Sequence, residues 1–221
     1  MNIEPIAFYH SPLKGKFGVP RQAGLAPALR GEVRLVPPYD APEAIRGLEG
    51  FDYCWLIWGF SLNPDAGASL TVRPPRLGGN ERVGVFASRS PFRPNGLGLS
   101  CVKLEKVEPG LLTVSGADLA DGTPVFDIKP YVPYADCKPG ARGGFVDAVS
   151  WEPLEVVLPD DLAAELGSNE LGSALCELLA QDPRPQYHDD PERVYGLSFA
   201  GFEVKFSVDV GKVFVRSLEK C

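Results

Sequence analysis

The chain has 221 residues, a formal net charge of −7, 44% hydrophobic and 23% charged residues. That length suits one large domain or a main domain with a small second one, and the composition excludes global disorder. The acidic balance excludes a simple nucleic-acid coat protein, so any RNA contact must be a local basic patch.

Five dispersed cysteines (Cys54, Cys101, Cys137, Cys176 and Cys221) include no CxxC pair. This argues against a zinc knuckle or a thioredoxin motif and for reduced thiols. Residues 1–10 have neither a basic start nor an apolar h-region, and no apolar run approaches the length of a membrane span. The expectation is a cytoplasmic protein with no membrane partner.

With 22 prolines and 24 glycines, long helices are disfavoured and short strands joined by turns are expected. In chain order, strands are predicted at residues 3–10, 31–36, 54–60, 82–88, 97–107, 111–117 and 149–158. A short helix is predicted over 41–48, with Asp40 and Glu43 as a capping-box-like pair, Pro42 in the first turn and Gly50 after the end. Cys54 to Trp58 is apolar on both faces, as a buried central strand would be. Residues 97–114 read as a hairpin turning at Pro109-Gly110. Later, Leu171, Leu175, Leu178 and Leu179 recur at helical spacing behind Ser168 as N-cap. Strands at 194–209 and 213–218 follow. The organisation is a mostly β domain over residues 1–150 and a small α+β domain over 151–221, with a Gly- and Ala-rich linker at 138–147.

Four stretches carry chemistry. Residues 72–100, VRPPRLGGNERVGVFASRSPFRPNGLGLS, hold Arg73, Arg76, Arg82, Arg89 and Arg93 against one acid, Glu81. Exposed arginines in a rigid loop are usually just solvated. Here they alternate with loop-fixing Pro and Gly over a long span, which points to a built anion site. Residues 118–136, DLADGTPVFDIKPYVPYAD, gather Asp118, Asp121, Asp127, Lys129, Tyr131 and Tyr134 around an Asp-Gly turn. Such a turn is often only a hairpin, but its carboxylates are suited to ribose hydroxyls or an amine. KFGVPRQ (16–22) and DPRPQYHDDPERVYG (182–196) are loops, weak signals by themselves.

Several generic sites are absent. GLGLSC gives GxGxxC rather than a dinucleotide fingerprint, and there is no P-loop and no GxSxG. His10 and His188 are the only histidines, so a histidine-rich metal site is excluded and no metal is expected.

Taken together and in order, these four stretches resemble the TrmO/TsaA-like family over most of the chain. The long central block makes the resemblance specific, and the DPRPQY tail followed by VYGLSF extends it. The resemblance implies an S-adenosylmethionine-dependent methyltransferase acting on N6 of threonylcarbamoyladenosine at position 37, in the tRNA anticodon loop. It implies a mainly β fold: an antiparallel β-barrel N-terminal domain, a small α+β C-terminal domain, and a homodimer. Family cofactor contacts carry over onto Pro20, Arg21, Gln22, Ser61, Arg89, Leu99, Leu119, Ala120, Asp121, Gly122 and Thr123. This chain departs from the family pattern at Cys54 and Ser61, where the family commonly has histidine, so no catalytic histidine carries over.

Methyl transfer from a sulfonium needs mainly proximity and alignment, but the acceptor N6 must lose its proton. Asp121, Asp127 and Tyr131 are candidate proton acceptors, with no choice among them. The threonyl carboxylate needs a cation, for which Arg184 comes first, then Arg73 and Arg76. Tyr187 is suited to stacking on an unstacked base. The alternatives are a methyltransferase on another substrate, or a non-catalytic barrel that binds RNA or senses S-adenosylmethionine.

Overall fold

A computed structural model describes residues 2–62, 67–74, 81–148, 152–184 and 190–221. Six strands close into a barrel: β1 (Ala7–His10), β2 (Arg30–Leu35), β3 (Tyr53–Gly59), β6 (Leu97–Glu108), β7 (Leu111–Ser115) and β8 (Thr123–Pro130). Around the barrel the order is β1-β2-β7-β6-β3-β8, and β8 returns to β1. All six pairings are antiparallel. Closure leaves no open sheet edge to cap. A two-stranded ribbon, β4 (Thr71–Val72) with β5 (Val83–Gly84), stands outside it.

The barrel interior follows from period-2 alternation. On β3, Cys54, Leu56 and Trp58 point inward, with Tyr53, Trp55 and Ile57 on the other face. They meet Ala7, Tyr9, Val33, Val102, Leu112, Val114 and Val125 in one buried cluster. The expectation that β3 is buried on both faces is therefore corrected. Its outer row is only partly covered: Trp55 donates its indole N–H to Asp136 across 3.1 Å and lies beside Tyr131.

The predicted helix over 41–48 is instead two 3-10 turns, Pro42–Ile45 and Leu48–Gly50, split at Gly47 with φ 89°. Ala41 occupies the N-cap and no side chain caps it. The predicted strand at 82–88 shrinks to β5 followed by a 3-10 turn, Val85–Ala87.

A short helix, α1 (Pro133–Asp136), follows β8, and residues 137–144 after it are exposed. The second sheet has the order β10-β11-β12-β9, from β9 (Glu155–Val157), β10 (Tyr195–Phe199), β11 (Phe202–Asp209) and β12 (Lys212–Lys220). β9 runs parallel to β12 and the other pairs are antiparallel. The stretch predicted as one strand at 194–209 is thus a hairpin, turning at Ala200 with φ 52°.

Helices α2 (Asp160–Glu165) and α3 (Asn169–Ala180) join this sheet. Ser168 caps α3 as predicted, accepting from the Leu171 amide. Leu175, Leu178 and Leu179 on α3 pack on Leu197, Phe199, Val204 and Phe206. Each such fully buried side chain contributes about 1.5–3 kcal/mol.

This second core is completed by the first part of the chain. Leu13, Ala26 and Leu29, all in the β1–β2 connection, are buried in it. The Ala28 amide donates to Glu177 at 2.7 Å, Gln181 donates to the Leu25 carbonyl, and Arg30 pairs with Glu170. Residues 11–29 therefore form a strap that lies against both the barrel and the α+β part.

Candidate functional site

The arginine-rich loop is braced from within. The hydroxyls of Ser88 and Ser90 accept from the amides two residues on, at Ser90 and Phe92, the geometry of ST-turns. Arg93 donates to the Ser88 carbonyl at 3.0 Å, and Arg82 to the Thr71 hydroxyl at 3.0 Å. Two of the loop's arginines thus hold its own shape. Arg89 instead reaches outward and donates to the Gln22 carboxamide across 2.5 Å. Arg73 is exposed beyond β4, and Arg76 lies outside the described residues.

Gln22 belongs to the strap, so this contact joins the PRQ segment to the ASRS segment. Behind it runs a hydrogen-bonded chain. The Trp58 indole N–H donates to Ser100 Oγ at 2.9 Å. Ser100 Oγ in turn donates to Asp118 Oδ1. Beside it the Gly24 amide of the strap donates to the Gly116 carbonyl at 2.8 Å, and the Ala23 main chain and the Arg89 charge act on the Asp118 carboxylate. Burial pushes the Asp118 carboxyl up from its ordinary value, against the lowering effects of Ser100, its own amide, Arg89 and the Ala23 amide. Trp58 can take its place because residue 98 is glycine: a Cβ there would sit 2.3 Å from the indole ring.

In the sequence Trp58 reads as core, Ser100 carries no signal, and Asp118 stands only as one of several polar residues. The available signal was a lone carboxylate in the small, apolar run at 116–120.

The turn between β7 and β8 presents mostly main chain. Leu119, Ala120 and Thr123 are buried. The Thr123 hydroxyl donates to the Ala120 carbonyl at 2.8 Å. The amides of Asp121 and Gly122 donate to the Leu13 and Tyr9 carbonyls. The Asp121 carboxylate accepts from Lys14 at 2.7 Å, the Ser11 amide at 3.1 Å and His10 at 3.2 Å. It borders an open cleft of about 580 Å³ with His10, Lys14, Arg30 and Arg34.

The three candidate proton acceptors are not brought together. Asp121 precedes β8 and Tyr131 follows it. The eight residues of that strand span about 23 Å at the usual rise. Asp127 lies within β8, paired with Lys129 at 2.9 Å and accepting from the Ile128 amide. The Tyr131 hydroxyl titrates above its ordinary range, through desolvation and then the neighbouring Cys137. This disfavours a tyrosinate.

Of the other expected positions, Leu99 faces the outer barrel wall, 53% exposed, on the opposite side of β6 from Ser100. Ser61 is exposed just past β3. Pro20 is buried in the strap, and Arg21 donates to the Asp182 carbonyl at 3.3 Å. Arg21, Lys16, Phe17 and Pro183 line a shallow cleft of about 370 Å³ where strap and tail meet. Arg184 already grips a carboxylate: its Nε and Nη2 donate to Asp182 at 2.8 and 3.0 Å. Tyr187 lies outside the described residues. Among the described residues no group of three or more His, Cys, Asp or Glu is placed to hold a metal ion. Nor, among the described residues, is any helix long and apolar enough to cross a membrane.

The tRNA-methyltransferase O N-terminal domain model matches residues 8–137, and the TrmO C-terminal domain model matches 152–221. A tRNA (adenine(37)-N6)-methyltransferase of Escherichia coli K12 is 40% identical over 98% of this chain and 97% of its own length. A Pseudomonas aeruginosa protein named as a candidate S-adenosylmethionine-dependent methyltransferase is 46% identical, over 92% of this chain and 90% of its own. A crystal structure of TrmO from Pseudomonas aeruginosa superposes with a TM-score of 0.81 at 36% identity, covering 99% of this chain and 98% of that one. Barrel, strap and tail thus match along their whole length, and the chain belongs to the tRNA-methyltransferase O family.

Proposed function

We propose that this protein transfers a methyl group from S-adenosylmethionine to N6 of threonylcarbamoyladenosine at position 37 of tRNA, acting as a cytoplasmic homodimer. The observation that carries this reading is the strap, which bonds to the arginine-rich loop through Gln22 and Arg89 and to the tail through Arg21 and Asp182. It therefore lies between the two regions to which donor and substrate are assigned in this reading.

The residues present fit the donor. A guanidinium offers five N–H donors in a fork, of which the Gln22 contact takes one, leaving Arg89 suited to the donor's amino-acid carboxylate. The Gln22 carboxamide and the main chain of the 119–123 turn supply uncharged polar partners for its amine and ribose. When bound, S-adenosylmethionine supplies a methyl group already activated on a sulfonium. The protein's part is then alignment of donor and acceptor in one pocket, a contribution that can reach several kcal/mol of barrier.

Substrate recognition is assigned to the strap–tail junction. Arg184 is clamped by Asp182, and Arg21 and Lys16 bring positive charge to the adjacent cleft. A threonyl carboxylate is the group such a cleft would favour. Asp121, held by Lys14 and His10, serves better as a brace of the donor pocket than as a base. Asp127 remains the candidate whose carboxylate is accessible.

The test is mass spectrometry of nucleosides from threonine tRNA, comparing cells with and without the gene. The methylated form of threonylcarbamoyladenosine should vanish and its unmethylated parent rise. Unchanged methylation would overturn the reading.

A further inference from the structure

Asp118 ends a hydrogen-bonded relay that starts in the barrel. The indole N–H of Trp58 is a donor only, so Ser100 Oγ must accept from it at 2.9 Å. The Ser100 proton is thereby directed onto Asp118 Oδ1. The strap is pinned two residues away, where the Gly24 amide donates to the Gly116 carbonyl at 2.8 Å, and the Arg89 guanidinium supplies a charge that acts on the carboxylate. One carboxylate thus ties β3, β6, the strap and the arginine-rich loop to the start of the turn before β8. A part-buried carboxylate with a hydroxyl donor on one oxygen and a cation acting on it is held firmly, and it holds its donor in return.

We infer that Asp118 is a positioning residue for methyl-donor binding: its carboxylate sets the strap at Gln22–Ala23 and the Arg89 guanidinium against one another. This rests on the proposed methyl-transfer function. Asp118 faces protein donors, so its role is exerted through Arg89 and the strap rather than as a proton acceptor for N6. Ser100 and Trp58 fix its orientation from the barrel side. No other carboxylate among the described residues bonds to Ser100.

The test compares wild type with Asp118→Asn and Ser100→Ala. Asparagine keeps the shape but replaces an acceptor oxygen by a donor and removes the charge that faces Arg89. Alanine at 100 cuts the link to Trp58 while leaving the carboxylate in place. Calorimetry with S-adenosylmethionine should show affinity falling about tenfold in Asp118→Asn and about threefold in Ser100→Ala. kcat at saturating donor should stay within about twofold of wild type, because the reacting groups are untouched. The Trp58 indole N–H resonance should move in both variants, reporting the network without any ligand.

A collapsed kcat with unchanged donor affinity would make Asp118 the proton acceptor and overturn the inference. Lower melting temperatures with unchanged donor affinity in both variants would make it merely structural and also overturn it. In either case wild type still binds and methylates, so the proposed function stands. A wild-type protein that does not bind the donor would overturn both. Should Asp118→Asn fail to fold, Ser100→Ala decides the matter by the same readings.

Discussion

Arg89 donates to the Gln22 side chain across 2.5 Å, although 67 positions separate them in the chain. The contact is possible because Ser88, Ser90 and Arg93 brace the loop behind Arg89, and because Leu13, Ala26 and Leu29 anchor the strap in the second core. Arg89→Ala should weaken S-adenosylmethionine binding at least tenfold, about 1.4 kcal/mol. Its thermal melt should be near wild type, since the side chain is exposed. Titration calorimetry checks this, and an unchanged dissociation constant would remove Arg89 from the donor pocket.

The Asp182–Arg184 clamp leads to a different outcome. Arg184→Ala should abolish or reduce tRNA methylation at least tenfold while donor affinity stays the same, because the clamp lies at the tail and not at Arg89. A methylation assay paired with calorimetry separates the two. Normal methylation by the variant would show that the tail takes no part in substrate recognition.

Gly98 is required by the ring it supports. A methyl group there would meet the Trp58 indole at 2.3 Å, and Trp58 is wedged between Phe60 and its bond to Ser100. Gly98→Ala should cost about 1–3 kcal/mol of stability through overpacking, read from urea melts. A loss below about 0.5 kcal/mol would mean that the ring can relax, contrary to the packing described.

Asp121 makes stability depend on pH. Partial burial works against its charge, but Lys14, the Ser11 amide and His10 outweigh burial, so the carboxyl titrates below its ordinary value. A lowered folded-state value means that the stabilisation is complete above the unfolded value of about 3.9. It is lost as pH falls from there through the folded value. Wild type should therefore melt higher than Asp121→Asn from pH 7 down to about pH 5, with the gap closing below pH 4. A gap that widened toward acid would contradict the assignment.

Local patterns carried much of the fold. The hairpin of β6 and β7 turned where Pro109-Gly110 marks it, and Ser168 announced α3. β8 escaped notice because Pro124 and Pro130 demote a run to non-strand, and because only the first half of β8 alternates. In the barrel Pro124 pairs with Phe8 and Pro130 with Cys54, placements that depend on closure and not on the segment itself. Gly47 broke a helix whose spacing alone looked continuous.

The site was legible only as separate stretches. That Gln22, Arg89, Ser100 and Asp118 share one network depends on which strands neighbour one another, and no spacing along the chain encodes that. The three alternative proton acceptors, Asp121, Asp127 and Tyr131, lie apart along β8 for the converse reason. Closeness in sequence along an extended strand is distance in space.

The central claim is tested most directly with purified protein, S-adenosylmethionine carrying a labelled methyl group, and two preparations of one threonine tRNA, with and without the threonylcarbamoyl group on adenosine 37. The account predicts label in that nucleoside of the first preparation and none in the second. Label in neither, or at any other nucleoside, would contradict it.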